Sequence, residues 1–225
     1  MDIKKVVIAS ASTQKEGGYT TLQRCWTIFS GKYDIVPFLV KENKESLSMV
    51  YNWAITRALE EDADALILVH DDVILEHDPI PKLEKLFDQF DLVGVAGTSK
   101  IELKSPALWH LMGGGFGSGN LHGAVAHGTK DKKHMTSFGV YPHQCILIDG
   151  VFMAMNKKVM EKMRFDEYNP AKYHFYDCLF SCDCHKAGFK VGVGDIMITH
   201  ESPGLREFTE DWKAGEKYFI SKYAY

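Results

Sequence analysis

The stretch Asp64-Ala65-Leu66-Ile67-Leu68-Val69-His70-Asp71-Asp72-Val73-Ile74-Leu75 decides how this chain folds. An apolar run of strand length, rich in Leu, Ile and Val, stops abruptly at His-Asp-Asp before a second apolar triplet. The run is too short to span a membrane and reads as a buried central strand. Two adjacent carboxylates at its carboxyl edge repel each other unless a cation, a ligand or bound water compensates. In open α/β sheets, ligands collect at the carboxyl ends of the strands, where this pair stands. The plain alternative is a strand end closed by a solvated Asp-Asp turn. The rest of the chain turns the reading toward a metal-assisted site for an anionic ligand.

Upstream, Lys4 to Ser12 reads as a first buried strand whose small polar end lets a ligand approach the backbone. A helix is expected from about Thr20 to Ser30, and a second strand from Tyr33 to Val40. Ser46 or Ser48 caps a helix carrying Met49, Val50, Trp53, Ala54, Ile55, Ala58 and Leu59 at helical spacing, which marks a core-facing side. Asn52 on that helix faces either the ligand loops or, as is commoner, solvent. Downstream, Pro79 to Phe90 predicts another helix and Leu92 to Gly97 a further buried strand. This alternation reads as a parallel α/β sheet. The absence of GxGxxG and P-loop patterns disfavours dinucleotide and ordinary P-loop chemistry.

Residues 98 to about 140 change character. Gly113 to Asn120 is a glycine cluster with no helical period, surrounded by His110, His122, His127 and His134, and it reads as a long loop. The histidine spacings match no standard metal site. Trp109 is either a stacking platform for a sugar ring or a core residue beneath the loop. In Cys145 to Met155, Asp149-Gly150 interrupts an apolar run, which is costly unless that point faces a ligand. Lys157 to Met163 predicts a short helix. A further helix runs from Asp177 to Ala187, with Asp177 near its start, where a carboxylate is favoured. A last strand begins at Lys190 and reaches His200, and the segment from Phe208 to Tyr225 is amphipathic.

With 225 residues, 45% of them hydrophobic and 25% charged, the chain has the make-up of a globular domain. The net charge of −4 and pI near 6.2 argue against a nucleic-acid-binding surface. Met1 to Val6 runs straight into a strand without a signal-peptide apolar region. Five cysteines without framework spacing point to reduced thiols and a cytoplasmic protein. Cys178, Cys182, Cys184 and His185 lack a CxxC pair, so buried thiols on a helix are preferred to structural zinc.

In order, Val69-His70-Asp71-Asp72-Val73, Val95-Ala96-Gly97, Ile148-Asp149-Gly150-Val151-Phe152, Phe165-Asp166-Glu167, His174-Phe175-Tyr176-Asp177 and His200 resemble the parts of family 2-like glycosyltransferases of the GT-A fold, within the nucleotide-diphospho-sugar transferases. The resemblance covers most of residues 1–205. It implies an α/β, Rossmann-like single domain with a mostly parallel central sheet flanked by helices, leaving 206–225 as a C-terminal amphipathic tail. His70 stands where the family's DxD motif has an acidic first residue.

The resemblance further implies roles. Asp72 would be the metal-binding carboxylate, and His200 would complete the coordination. Asp71 would meet the ribose or share the metal site. Ser10, Ala11 and Ser12 would meet the base and ribose, with Asp149 and Gly150 near the donor sugar. Asp177 stands where inverting members carry the general base, although Tyr176 takes the place of the preceding acidic residue. The implied cofactor is Mn2+ or Mg2+, which would stabilise the charge on a departing nucleoside diphosphate. The expected activity is metal-dependent, inverting transfer from a nucleotide-sugar donor to a glycan, lipid-linked or protein acceptor. No nucleic acid, no stable membrane insertion and an open question of homodimerisation complete the expectation. The alternatives are a sugar nucleotidyltransferase and a non-catalytic nucleotide-sugar-binding protein.

Overall fold

The computed structural model describes residues 1–14, 28–29, 31–129, 131–202, 204 and 207–223. The helix expected from Thr20 to Ser30 lies outside the described residues apart from Ile28 and Phe29. The first buried strand is β1 (Lys5–Ala11), followed by β2 (Asp34–Val40), α1 (Leu47–Glu60) and β3 (Ala65–Val69), the strand of the opening stretch. Ser46 caps α1, its side chain accepting from the Met49 N–H at 3.2 Å, an interaction worth about 1 kcal/mol. Then come β4 (Val73–Leu75), α2 (Ile80–Leu86), β5 (Leu92–Gly94), β6 (Ala96–Thr98) and a one-turn α3 (Trp109–Met112). The second half comprises β7 (Leu121–Gly128), β8 (Lys133–Gly139), β9 (His143–Cys145), β10 (Leu147–Ile148), β11 (Phe152–Asn156), α4 (Lys157–Lys162), α5 (Tyr176–Lys186), β12 (Val191–Val193), β13 (Ile198–His200) and α6 (Glu210–Tyr223).

The strands form a seven-stranded sheet ordered β2-β1-β3-β11-β5-β12-β9 and a six-stranded sheet ordered β10-β6-β7-β13-β4, with β8 paired to β7. The class is α/β, and the central sheet is mixed, not purely parallel: β2, β1, β3, β5 and β12 run one way, β11 and β9 the other. The pairs β1–β2, β1–β3 and β5–β12 are parallel, whereas β11 runs antiparallel to both β3 and β5. The cause is the route of the chain. β10 belongs to the second sheet, so after Asp149-Gly150 the chain enters the first sheet from its ligand end, and Phe152 starts opposite Val69, the last residue of β3.

Two apolar runs that read as single strands are divided between the sheets. Leu92–Gly94 joins the first sheet and Ala96–Thr98 the second. Val191–Val193 and Ile198–His200 part in the same way. The region read as one long loop holds the β7–β8 hairpin, which places His122 and His127 on β7 and His134 on β8. Gly123, at φ +96°, sits at the register shift of that hairpin, a backbone conformation that other residues rarely take.

Both faces of the first sheet are covered. Val6, Ile8, Ile67 and Val69 face one core with Leu83, Val93 and Ile198, while Val7, Ala9, Leu66 and Leu68 face another with Val50, Ile55 and Phe180. That burial on both sides is why β3 reads as a continuous apolar run. α6 packs Trp212 and Phe219 against Phe175, Leu179 and Cys182 in a third cluster. Cys178, Cys182 and Cys184 are buried free thiols on α5; burial pushes the Cys182 thiol up to about 12, so these are inert core residues. Asn52, for which solvent exposure was the commoner expectation, is a staple. It donates to the Phe165 carbonyl at 3.0 Å and accepts from the Phe165 N–H at 2.7 Å. Among the described residues no helix is long and apolar enough to cross a membrane.

Candidate metal centre and active-site cleft

The carboxyl end of β3 turns sharply. His70 donates its backbone N–H to Val151 O at 3.3 Å, and Val73 donates back to His70 O at 3.3 Å. β4 then pairs antiparallel with β13, setting His200 opposite Val73, and the Glu201 N–H donates to Asp72 O at 2.8 Å. This pairing carries His200, remote in sequence, to Asp72. His200 Nε2 lies 3.2 Å from Asp72 Oδ1 and His70 Nδ1 lies 3.9 Å from the same oxygen. The donor atoms of His70, Asp72 and His200 all fall within 4.8 Å of one another. Asp72 Oδ1 is buried and has no hydrogen bond of good geometry; the His200 imidazole at 3.2 Å is its nearest polar neighbour, and His70 Nδ1 at 3.9 Å is too distant to donate. A buried carboxylate oxygen without a well-formed hydrogen bond, facing two imidazoles, is costly alone and fits a cation held among the three.

The electrostatics of His70 and Asp72 suit that arrangement, whereas His200 holds a proton more readily beside Asp72 and would give it up to a bound cation. Burial holds His70 below the ordinary histidine value, keeping it neutral and able to donate a lone pair. Burial works against charge on Asp72 also, yet His200 and then His70 keep its carboxyl below the usual carboxylate range. His200 is held above its ordinary value by Asp72 despite burial. The other nitrogen of His70, Nε2, meets Tyr176 Oη at 2.6 Å. Burial keeps the Tyr176 phenol protonated far above its ordinary range. In the tautomer that donates from Nε2, His70 turns its Nδ1 lone pair toward Asp72, the orientation that metal-binding histidines take from an outer hydrogen-bond partner. Two imidazoles and a carboxylate favour a transition metal such as Mn2+ over Mg2+, which takes oxygen donors.

His70 and His200 line a cleft of about 570 Å3 together with Asp149, Asp177, His127 and Trp109. Asp149 sits in the break between β10 and β11, where its N–H donates to Ala96 O at 2.8 Å and its Oδ1 accepts from the Val151 N–H at 2.9 Å. Its Oδ2 accepts from Trp109 Nε1 at 2.6 Å. Asp177 lies in the first turn of α5 and accepts from the Gly150 N–H at 2.8 Å. Burial, followed by the charge of Asp149, pushes the Asp177 carboxyl up to about 6, while the backbone amides of Cys178 and Gly150 act the other way. A carboxylate poised near neutrality in a cleft is suited to accept a proton. Phe175, just before α5, has φ +62°, an uncommon conformation for a bulky residue, and this bend aims the helix start at Gly150.

The structure thus brings together Asp72, His200, Asp149, Gly150 and Asp177. Ser10 and Ala11 end β1, beside β3 in the sheet, and Ser12 follows; they, Asp71, Asp72 and Gly150 stand outside the cleft lining among the described residues. Ser10 and Ser12 are buried, and Ser12 Oγ accepts from the Gln14 N–H at 3.1 Å. Three partners escaped the sequence reading. His70 was left without a role, although its place two residues before Asp72 was a signal. Tyr176 was read as a departure from an acidic pattern and instead orients His70. The hydrogen bond from Trp109 to Asp149 joins residues 40 apart and has no local signal.

Comparison with known proteins places these features in a family. The streptomycin biosynthesis protein StrF of Streptomyces griseus is 26% identical over 185 residues, covering 80% of this chain and 62% of StrF. The chain therefore spans under two thirds of the length of that relative. Among solved structures, A197 from STIV has a TM-score of 0.43 at 12% identity, covering 88% of this chain and 82% of its own. A glycosyltransferase involved in glycosylation of the major capsid of PBCV-1 has a TM-score of 0.41 at 13% identity, covering 96% and 98%. Both structural likenesses are distant. The glycosyltransferase-like family, by contrast, is matched across residues 30–223, which hold every described strand except β1, the cleft lining and α6, and the chain belongs to that family.

Proposed function

We propose that this protein is a metal-dependent, inverting glycosyltransferase that moves a sugar from a nucleoside-diphosphate donor to an acceptor hydroxyl. The observation that carries the reading is the buried Asp72 Oδ1 faced by His70 and His200, two imidazoles that line the same cleft as the raised carboxyl of Asp177. Asp72, His70 and His200 would hold the divalent cation, their two imidazoles favouring Mn2+ over Mg2+. When bound, the metal supplies positive charge against the oxygens of the departing diphosphate. Tyr176 keeps the His70 ring turned toward that position. Ser10, Ala11, Ser12 and Asp71, at the same end of the sheet, are proposed to meet the nucleoside.

Asp177 is the proposed general base. Its Oδ2 accepts from the Gly150 N–H, which orients the carboxylate to take the proton of the acceptor hydroxyl as the new glycosidic bond forms. Asp149 is clamped by Trp109 and Val151 and holds the Asp149-Gly150 turn against Asp177. Attack from the Asp177 side, opposite the departing diphosphate, inverts the anomeric carbon.

The test is a thermal-shift panel of UDP, GDP, CMP and dTDP sugars with and without Mn2+, followed by donor-turnover assays with whichever nucleotide binds. A ligand that binds only the folded protein raises its melting temperature. A shift that requires Mn2+ and is lost in Asp72→Ala supports the reading. Turnover that Asp72→Ala and Asp177→Asn leave unchanged contradicts it.

A further inference from the structure

Beyond its polar corner, the cleft carries an aromatic shelf. The Trp109 N–H is taken up by Asp149, which fixes a half-buried indole that packs on the core on one side and lines the cleft on the other. Trp109 meets Phe138 of β8 edge-on, with centroids 4.9 Å apart. Phe138 in turn stacks on Phe116, with centroids 5.5 Å apart and planes 19° apart. Phe116 rides on the glycine loop and is 63% exposed, so it is not a core residue. The rings run without interruption from Asp149 to the mouth of the cleft, and His110, His127 and Thr136 line the cleft beside them.

An aromatic shelf with a polar border matches a ligand that has one apolar ring face and a polar rim. A saccharide ring has that build, with axial C–H bonds on a face and hydroxyls at its edge. An alkyl chain would leave the bordering imidazoles and hydroxyl without partners. Position points the same way. In the first sheet, β1 with its Ser10–Ser12 end flanks β3 on one side, while β11 and the Asp149-Gly150 turn flank it on the other. The shelf begins at Asp149, on the Asp177 side of the metal-ligand cluster and away from β1.

We propose that Trp109, Phe138 and Phe116 form the acceptor subsite, and that the acceptor presents a saccharide ring to it. This rests on the glycosyl-transfer reading above and adds the acceptor class to it.

Saturation-transfer NMR on the full chain with diamagnetic Mg2+ in place of Mn2+ and nucleoside diphosphate tests the subsite. The probes are methyl β-D-glucopyranoside, methyl β-D-galactopyranoside and methyl N-acetyl-β-D-glucosaminide, compared with octanol and a serine-containing peptide. At least one glycoside is expected to take up saturation on its ring C–H protons. Phe116→Ala and Phe138→Leu should each weaken its binding roughly fivefold to tenfold while the thermal shift with Mn2+ and nucleotide persists. Wild-type protein that shifts with nucleotide but ignores every glycoside, or binds only octanol or peptide, overturns the subsite and leaves the transfer reading standing. Glycoside binding that both variants leave unchanged overturns it equally. Glycoside binding without any nucleotide shift overturns the acceptor assignment together with the transfer reading.

Discussion

The backbone N–H of Gly150 donates to Asp177 Oδ2 across 2.8 Å, tying the break between β10 and β11 to the first turn of α5. Two features that look unrelated in the sequence thereby become one device. The glycine is required because a Cβ at position 150 would fall inside contact distance of Tyr176 Oη and 2.8 Å from Asp177 Cβ. The cation ligands and the proposed base consequently share a border, since Tyr176 also holds His70.

Asp177→Asn should lower transfer by roughly 10²–10⁴-fold while leaving the thermal shift with nucleotide and Mn2+ in place. In the wild type, Asp177 binds its proton more tightly in the folded protein, up to about 6, than in the unfolded chain near 3.8. Its contribution to stability is therefore fully present below the unfolded value and is lost as pH rises through about 6. Activity runs the other way, because the base acts when ionised and is gained over the same window. Rate–pH profiles and melting temperatures across that window check both signs. A rate limb that stays in place in the asparagine variant contradicts the assignment.

Tyr176→Phe removes the hydroxyl that meets His70 Nε2 and keeps the ring against Tyr51. Mn2+ affinity is expected to fall roughly 10- to 100-fold, the usual effect of losing an outer partner of a metal-binding histidine. A titration followed by Mn2+ paramagnetic resonance measures it. Unchanged affinity would mean that His70 is oriented by packing alone or is not a ligand.

Gly150→Ala forces a methyl group against Tyr176 and Asp177. Overpacking of this kind costs about 1–3 kcal/mol, and here it also pushes the base off its amide. Denaturant unfolding should show the loss of stability, with a parallel loss of turnover. A variant as stable and active as the wild type would show that the turn has room to spare.

How far the sequence carried these conclusions varies by element. β3 was legible because burial on both faces leaves an unbroken apolar run, and His-Asp-Asp at its end is conspicuous. The direction of β11 was not legible, since side-chain alternation is the same whether a strand runs up or down; only the pairing of Phe152 with Val69 fixes it. The Leu92–Gly97 run hid a change of sheet at Val95, because residues on both sides of the break are equally buried. The β7–β8 hairpin was read as loop because its histidines and glycines, and the exposed edge of β8, break the apolar alternation. In the site, a family pattern singled out Asp72 and His200, whose side chains lie together, whereas the contacts of His70, Tyr176 and Trp109 join distant segments.

The central claim is that His70, Asp72 and His200 hold a divalent cation, and Mn2+ binding measured by paramagnetic resonance tests it most directly. Wild-type protein with a nucleoside diphosphate should bind a single Mn2+, and Asp72→Ala and His200→Ala should each lose it while remaining folded by circular dichroism. Mn2+ binding that both variants retain, or that the wild type never displays, would contradict the account.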